Sequence, residues 1–585
     1  MINSAYIEKI CLFLVLVLAV FLTAAPVAMA YDQDNVDVIN GIIENNGLSG
    51  YVKDDVTNWN FITWDSTEDY IIRLDLNDKG LTGSLDLTGL DNLQYLYCHN
   101  NQLTSLDLTG LDNLQYLSCN TNQLTILDLT GLDNLQYLSC HTNQLTSLSV
   151  TGLDKLQYLY CGYNQLTSLS VTGLDKLQHL YFQNNQLTSL SVTGLDNLQY
   201  LYCNDNQLTS LDVTGLDKLQ ILYCGNTQLT SLSVTGLDNL QHLYCNNNQL
   251  TSLDLTGSDN LQYLSCHTNQ LTSLDVTGLD KLEYLYCYNN QLTSLDLTEL
   301  DNLQYLYCQY NQLTSLSVTG LDNLQNLYCN NNQLTSLDVT GLDNLINLDC
   351  ENNQLTSLSV TGLDKLQYLY CGNNQLTSLD VTGFDNLISL YCYNNQLTSL
   401  DLTGLDNLQY LYCGNNQLTS LSVTGLDKLE ELDCENNQLT SLDVTGLTKL
   451  KFLNCSNNQL TESDIIGLAG LSSLIEFVAD FPISKPSVKT SGGSGTGSAK
   501  VVDGNQAGSQ NQDQGNTPIL TSQTPTSQTQ PQNTPSKTEQ QGQTGTEDKK
   551  SSIPIFVVII AIVAIVGLVG IVAYQKMRNN RNIRL

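Results

Sequence analysis

The sequence predicts a repeat solenoid: a stack of near-identical turns with a parallel β-sheet along one side and extended or turn structure along the other. Three observations predict it. The unit LQYLYCHNNQLTSLDLTGLDN at 93–113 restarts after 21 residues as LQYLSCNTNQLTILDLTGLDN and keeps returning until LKFLNCSNNQL at 450–460. Inside each unit Leu96 and Cys98 alternate with Tyr95, Tyr97 and His99 at the period of a strand, so the two sets point to opposite faces. None of the eight prolines lies between Val27 and Phe481, as expected where every strand donates hydrogen bonds to a neighbour. One unit has a single apolar side and cannot bury it alone; stacking in register lets each unit cover the next.

The elements follow in chain order. Residues 1–30 carry Lys9, an apolar run from Ile10 to Leu22 and the small-x-small ending Ala28-Met29-Ala30, which read as a secretory signal. Residues 31–81 form an N-terminal cap and a degenerate first repeat: Val36, Ile39, Ile42 and Ile43 have helical spacing, and IIRLDLNDKGL at 71–81 is an imperfect unit. The solenoid proper, with a C-terminal cap through IGLAGLSSLIEFVADF, occupies 82–482. Eighteen units at ~4.8 Å between strands make a stack roughly 85 Å long. Residues 483–552, rich in Ser, Thr, Gln, Gly and Pro, bury too little apolar surface to fold and read as a stalk. Ile553 to Tyr574 is an uncharged apolar run of the length of a membrane-spanning helix, and the basic tail 575–585 places the C-terminus in the cytoplasm. The expected location is the cell membrane, single-pass, with the N-terminal ectodomain at the cell surface.

Two columns read as scaffold. An asparagine recurs from Asn101 to Asn458 at 21-residue steps, replaced once by Thr227, and a buried Asn can bond the backbone of adjoining turns with both amide ends. A cysteine recurs from Cys98 to Cys455, replaced once by Phe182. Many cysteines in an exported chain usually mean disulfides. In-register neighbours with Cβ atoms ~4.8 Å apart stand outside the disulfide range, and a phenylalanine in the same slot marks it as apolar. Buried thiols acting as small hydrophobes are the first reading; scattered disulfides and a metal site are the others, the last without CxxC or Cys/His spacing.

LxxLxCxxNxL at Leu93 to Leu103, repeated over about 400 residues, resembles the leucine-rich repeat family. Within it the pattern is similar to the bacterial surface proteins called internalins, of the internalin J type with 21-residue repeats and a cysteine ladder. The resemblance implies a curved extracellular solenoid, a horseshoe or arc, that binds a partner through a concave sheet. It departs from those proteins in lacking a wall-sorting motif and in offering a membrane helix instead.

The variable positions beside the inner leucine carry any specificity, and they are mostly tyrosine. The candidate binding residues are Tyr95, Tyr97, Tyr158, Tyr160, Tyr181, Tyr200, Tyr202, Tyr223, Tyr244, Tyr284, Tyr286, Tyr305, Tyr307, Tyr328, Tyr368, Tyr370, Tyr391, Tyr410 and Tyr412. Phenol rings on a sheet offer stiff, amphipathic contact area of the kind that protein interfaces and sugar platforms use; the blander reading is that tyrosine favours strands and stacks along the ladder. Polar neighbours in the column after cysteine, Asn204, Asn246, Gln309, Asn330, Glu351 and Glu435, would suit a glycan. The aspartates of GLDN and GLDK, Asp91 to Asp427, read as a solvated, turn-capping row, with calcium as the lesser alternative because one carboxylate per unit makes a poor site.

A formal charge of −36 argues against nucleic acid as a partner. The five histidines have no recurring nucleophile or acid beside them, so no enzyme, metal or cofactor is expected. The sequence therefore points to a cell-surface adhesin or receptor-like protein that binds an extracellular protein or polysaccharide, with a ligand-free structural envelope component as the alternative.

Overall fold

The computed structural model describes residues 31–67 and 69–481, together with the backbone of Lys500–Asp503. The expected signal sequence, membrane segment and basic tail lie outside the described residues, as does most of the stalk. Among the described residues no helix is long and apolar enough to cross a membrane.

Helix α1 (Gln33–Asn46) opens the cap. The Asp32 carboxylate accepts the Asn35 N–H at 3.0 Å and satisfies one orphan donor of its first turn. Gly47, left-handed at φ +59°, ends it. The helix buries Val36, Ile39, Ile42 and Ile43 against the end of the stack, where Trp59 and Phe61 complete the cover. Strand β1 (Ile62–Trp64) pairs antiparallel with β2 (Ile71–Asp75), and β2 pairs parallel with Tyr95–Tyr97. The cap thus converts an open sheet edge into the first rung, where the solenoid core would otherwise meet water.

Eighteen three-residue rungs then follow at 21-residue steps, from Tyr95–Tyr97 to Phe452–Asn454. They belong to one 22-stranded sheet. Registry is unshifted from rung to rung, so Leu201 faces Leu222 and Leu222 faces Leu243. The stack ends on Glu476–Ala479, which pairs parallel with Lys500–Asp503. That last strand falls inside the stretch expected to lack structure; KVVD supplies two β-branched residues to an edge whose N–H and C=O groups would be unpaired.

The core is a column of leucines, with Leu96, Leu103, Leu111 and Leu114 wholly buried, repeated up the stack. All seventeen repeat cysteines are buried free thiols. Burial disfavours the thiolate and pushes Cys98, Cys140 and Cys224 up to about 12. Phe182 fills the same slot with no exposure.

The asparagine column does what the sequence implied. Asn290 Nδ2 donates to the carbonyls of Cys266 and Cys287, each at 3.1 Å, and its Oδ1 accepts the Leu271 N–H at 3.0 Å. Each amide therefore ties its own turn to the preceding one, using groups the bend leaves without strand partners. The residue just before this column, most often asparagine, sits at a left-handed turn, as at Asn289 with φ +52°, a conformation Asn tolerates.

The turn-capping aspartate is a different one from the expected Asp91–Asp427 row. Asp107 Oδ1 accepts the Thr109 N–H at 3.0 Å, and Asp128 accepts from both the N–H and the hydroxyl of Thr130. These bonds, the threonine hydroxyl first, hold the Asp107 and Asp128 carboxyls below their usual range. The reason is local: D-x-T places the carboxylate two residues before the donor, the geometry of an Asx turn. The GLDN row serves through its backbone instead, Asp91 O accepting Asn113 Nδ2 at 3.0 Å. The lysines that follow some of these aspartates reach the preceding unit's asparagine, as Lys155 Nζ does to Asn134 Oδ1 at 2.6 Å.

Candidate binding face

Because Leu and Cys of each rung point inward, the residues on either side of the inner leucine all project from one sheet face. The structure places all nineteen candidate tyrosines there. They are mostly half-buried, and Tyr391 is buried, because most of the rings lean on a ring of a neighbouring rung.

The rings form a continuous chain. It runs from Tyr95 through Tyr116, Tyr137, Tyr160, Tyr181, Tyr202, Tyr223, Tyr244, Tyr263, Tyr286 and Tyr307 to Tyr328. The Tyr116–Tyr137 pair is flat-stacked at 4.0 Å, and Tyr160–Tyr181 meet edge to face at 4.8 Å. Such pairs contribute roughly 0.5–1.5 kcal/mol each beyond their buried area. Tyr158 and Tyr200 join through His179, and Tyr284 stacks on Tyr305 at 4.7 Å. Removal from water raises the phenol pKa along the chain from Tyr116 to Tyr328, to about 12 at Tyr244.

Asn347 and Asp349 interrupt the chain, which resumes as Tyr370, Tyr391 and Tyr412 with centroids 4.8 and 4.4 Å apart. Tyr368 and Tyr410 lie on the same face beside this second run. At the opposite end the Arg73 guanidinium sits 4.1 Å over the Tyr97 ring.

Two corrections concern this face. Tyr116, Tyr137 and Tyr263 are central links of the ring chain and were absent from the candidate set; their membership of the same column was the signal for them. The column after cysteine, expected to offer polar groups to a glycan, is partly folded away: Asn204, Asn246 and Glu351 are buried, while Gln309, Asn330 and Glu435 are half-buried. Each of these side chains packs beside the turn, and glycines in the column make room. A Cβ on Gly162 would stand 2.8 Å from the Gln183 side chain, and one on Gly372 the same distance from the Tyr393 ring.

Acids drawn partly out of water mark the far end, Glu351 buried and Asp349 and Asp433 half-buried. Asp349 and Glu351 project from one rung, and burial, reinforced at Asp349 by the Glu351 charge, pushes them up to about 8 and about 7. Asp433 is likewise raised to about 7 by burial and by Glu435. Among the described residues no group of three or more His, Cys, Asp or Glu side chains converges as a metal site.

A family model for leucine-rich repeats in two copies matches eight overlapping segments between 154 and 473, and a single-repeat model matches 92–114. The chain is a leucine-rich repeat protein. Among solved structures this leucine-rich repeat chain is similar to the functional domain of InlJ from Listeria monocytogenes, described as including a cysteine ladder. The identity there is 33% over 63% of this chain and 70% of that one, with TM-score 0.44. YopM from Yersinia enterocolitica is 26% identical over 70% of this chain and 91% of that one, with TM-score 0.53. PEPR1 with AtPEP1 is 21% identical over 77% and 80%, with TM-score 0.58, and shares the fold. No curated protein sequence matches the chain.

Proposed function

We propose that this leucine-rich repeat protein is a cell-surface adhesin or receptor-like binding protein that presents its tyrosine face to an extracellular protein. One observation carries the reading: twelve successive rungs, Tyr95 to Tyr328, hold an unbroken chain of rings on a single sheet face. A face of stiff, pre-stacked aromatics loses little conformational entropy on binding, and repetition supplies avidity along an extended partner. InlJ-like repeats with a cysteine ladder support the same class of role. The secretory signal and the apolar segment at 553–574 support a surface location with the repeats outside.

The test is capture of proteins from neighbouring or host cells on the immobilised full chain, repeated with Tyr181→Ser, Tyr202→Ser and Tyr223→Ser combined. Loss of a specific captured protein, with the far-UV spectrum retained, supports the reading. The ring-to-ring packing itself favours the second reading, an envelope component in which tyrosine serves the ladder. That reading gains if the triple variant loses stability while the native face captures nothing.

A further inference from the structure

One short motif occurs twice on the binding face, with different surroundings. NLDCENNQL at 347–355 and ELDCENNQL at 431–439 each carry Asp-Cys-Glu, four rungs apart. In both, cysteine points into the core and the two carboxylates leave the other side of the same rung, ~6.6 Å apart along the backbone. One nitrogen donor can therefore span both.

At the second copy the protein supplies that nitrogen itself. Asn454, paired in register with Asp433, donates from Nδ2 to Asp433 Oδ2 at 3.2 Å and to Glu435 Oε2 at 2.8 Å. Asn415 Nδ2 adds a contact to the other Glu435 oxygen at 3.4 Å.

At the first copy the register partner of Asp349 is Tyr370, not an asparagine. Glu351 is only 5% exposed, and its Oε1 has no hydrogen-bond partner. Its Oε2 accepts the Tyr393 hydroxyl at 3.2 Å, reached across two rungs because Gly372, without a side chain, leaves room for the Tyr393 ring to pass over it. An amide with a lone oxygen could be turned to offer its nitrogen; a carboxylate has only acceptors. A buried carboxylate oxygen left without a donor is costly, and the neighbouring Asp349 adds a second charge rather than a solution.

From this difference between two copies of one motif we infer that Asp349 and Glu351 form the seat for a lysine or arginine side chain of the polypeptide that lies along the tyrosine face. The inference rests on the proposed function. The ligand's nitrogen takes the place that Asn454 Nδ2 holds at Asp433 and Glu435, entering past the partly exposed Asp349 at the interruption between the two runs of rings. Tyr328 and Tyr370, on either side of Asp349 in the sheet, would flank its aliphatic stem or guanidinium plane.

The experiment uses the full chain and a fluorescein-labelled hexa-arginine peptide, read by anisotropy at 150 mM salt, with calcium chloride and a hexa-glutamate peptide as separate arms. Tyr370→Asn installs the internal donor of the second copy without changing net charge, and Asp349→Asn/Glu351→Gln removes the acceptors. Both are expected to weaken binding tenfold or more. Asn454→Tyr, which removes the internal donor, is expected to raise the stoichiometry from one to two. Circular dichroism of each variant reports folding. Equal binding by Tyr370→Asn and the native chain would mean diffuse attraction to an acidic protein and overturn the inference, as would millimolar calcium taking the seat in place of the peptide. Retained tyrosine-dependent protein capture alongside failed peptide binding removes this seat alone; the reverse pattern removes the larger reading and leaves the seat.

Discussion

Asp349 and Glu351 stand where burial and mutual repulsion both favour the protonated form, so replacing them by their neutral isosteres should stabilise the protein in a pH-dependent way. The groups facing them are the Tyr328 and Tyr370 rings across the sheet, the Tyr393 hydroxyl and the neutral thiols of Cys350 and Cys371 behind; none carries a positive charge. The folded-state pKa of each acid lies above its unfolded value, from 3.8 to about 8 for Asp349 and from 4.5 to about 7 for Glu351. Below about pH 3 both states are protonated and the pair contributes nothing. As pH rises through the unfolded values, the unfolded chain releases its protons first, so the native protein loses stability progressively up to about pH 8. Each tenfold change in proton affinity is worth about 1.4 kcal/mol, and counting the shared repulsion once puts the loss at roughly 3–6 kcal/mol. Asp349→Asn/Glu351→Gln should escape it. With an unfolding entropy of ~2.1 cal/mol/K per residue over ~450 folded residues, that difference is ~3–6 °C in Tm. Melting curves of the two proteins should coincide at about pH 3, begin to part by pH 4.5, and separate by that amount at pH 8.5. Asp91→Asn/Asp112→Asn, which removes two exposed carboxylates, is the control for net charge. An offset that is constant with pH, or reproduced by the control, would refute the burial argument.

Four further outcomes are expected. Thr227→Asn should stabilise by about 1–2 kcal/mol in urea unfolding, because the amide regains the Leu208 N–H and Cys203 carbonyl bonds that every other unit makes. Glu299→Gly should stabilise by about 1 kcal/mol in the same assay: Glu299 holds φ +72° where Gly278 and Gly320 hold +80° and +88°. The repeat thiols, raised by burial and closed to solvent, should resist an aromatic disulfide reagent at pH 8 and react only in denaturant; rapid reaction of the native chain would contradict the packed ladder. His141, His179 and His267, each lowered to about 4 by burial, should stay neutral in NMR titrations to pH 5. Their folded values lie below the unfolded 6.5, so the stability they support is full above pH 6.5 and is lost as pH falls toward 4.

The sequence by itself determined the architecture, because a 21-residue period with alternating Leu-x-Cys admits one economical way to bury its single apolar side. The asparagine column was equally legible: an amide recurring beside every strand but one has few uses other than closing the backbone of a bend. The binding face was legible as a column, since every second residue of a strand shares a side. Tertiary structure alone decided how far those tyrosines are available. Ring contact runs between rungs 21 residues apart, and only the stacking distance and the rotamers fix whether a phenol faces water or its neighbour. The choice between the two aspartate rows was local, a threonine two residues ahead selecting Asp107 over Asp91 for the turn. Dependence on the stack is clearest for Asp-Cys-Glu: two nearly identical strings differ in chemistry because the next turn brings Asn454 to one and Tyr370 to the other.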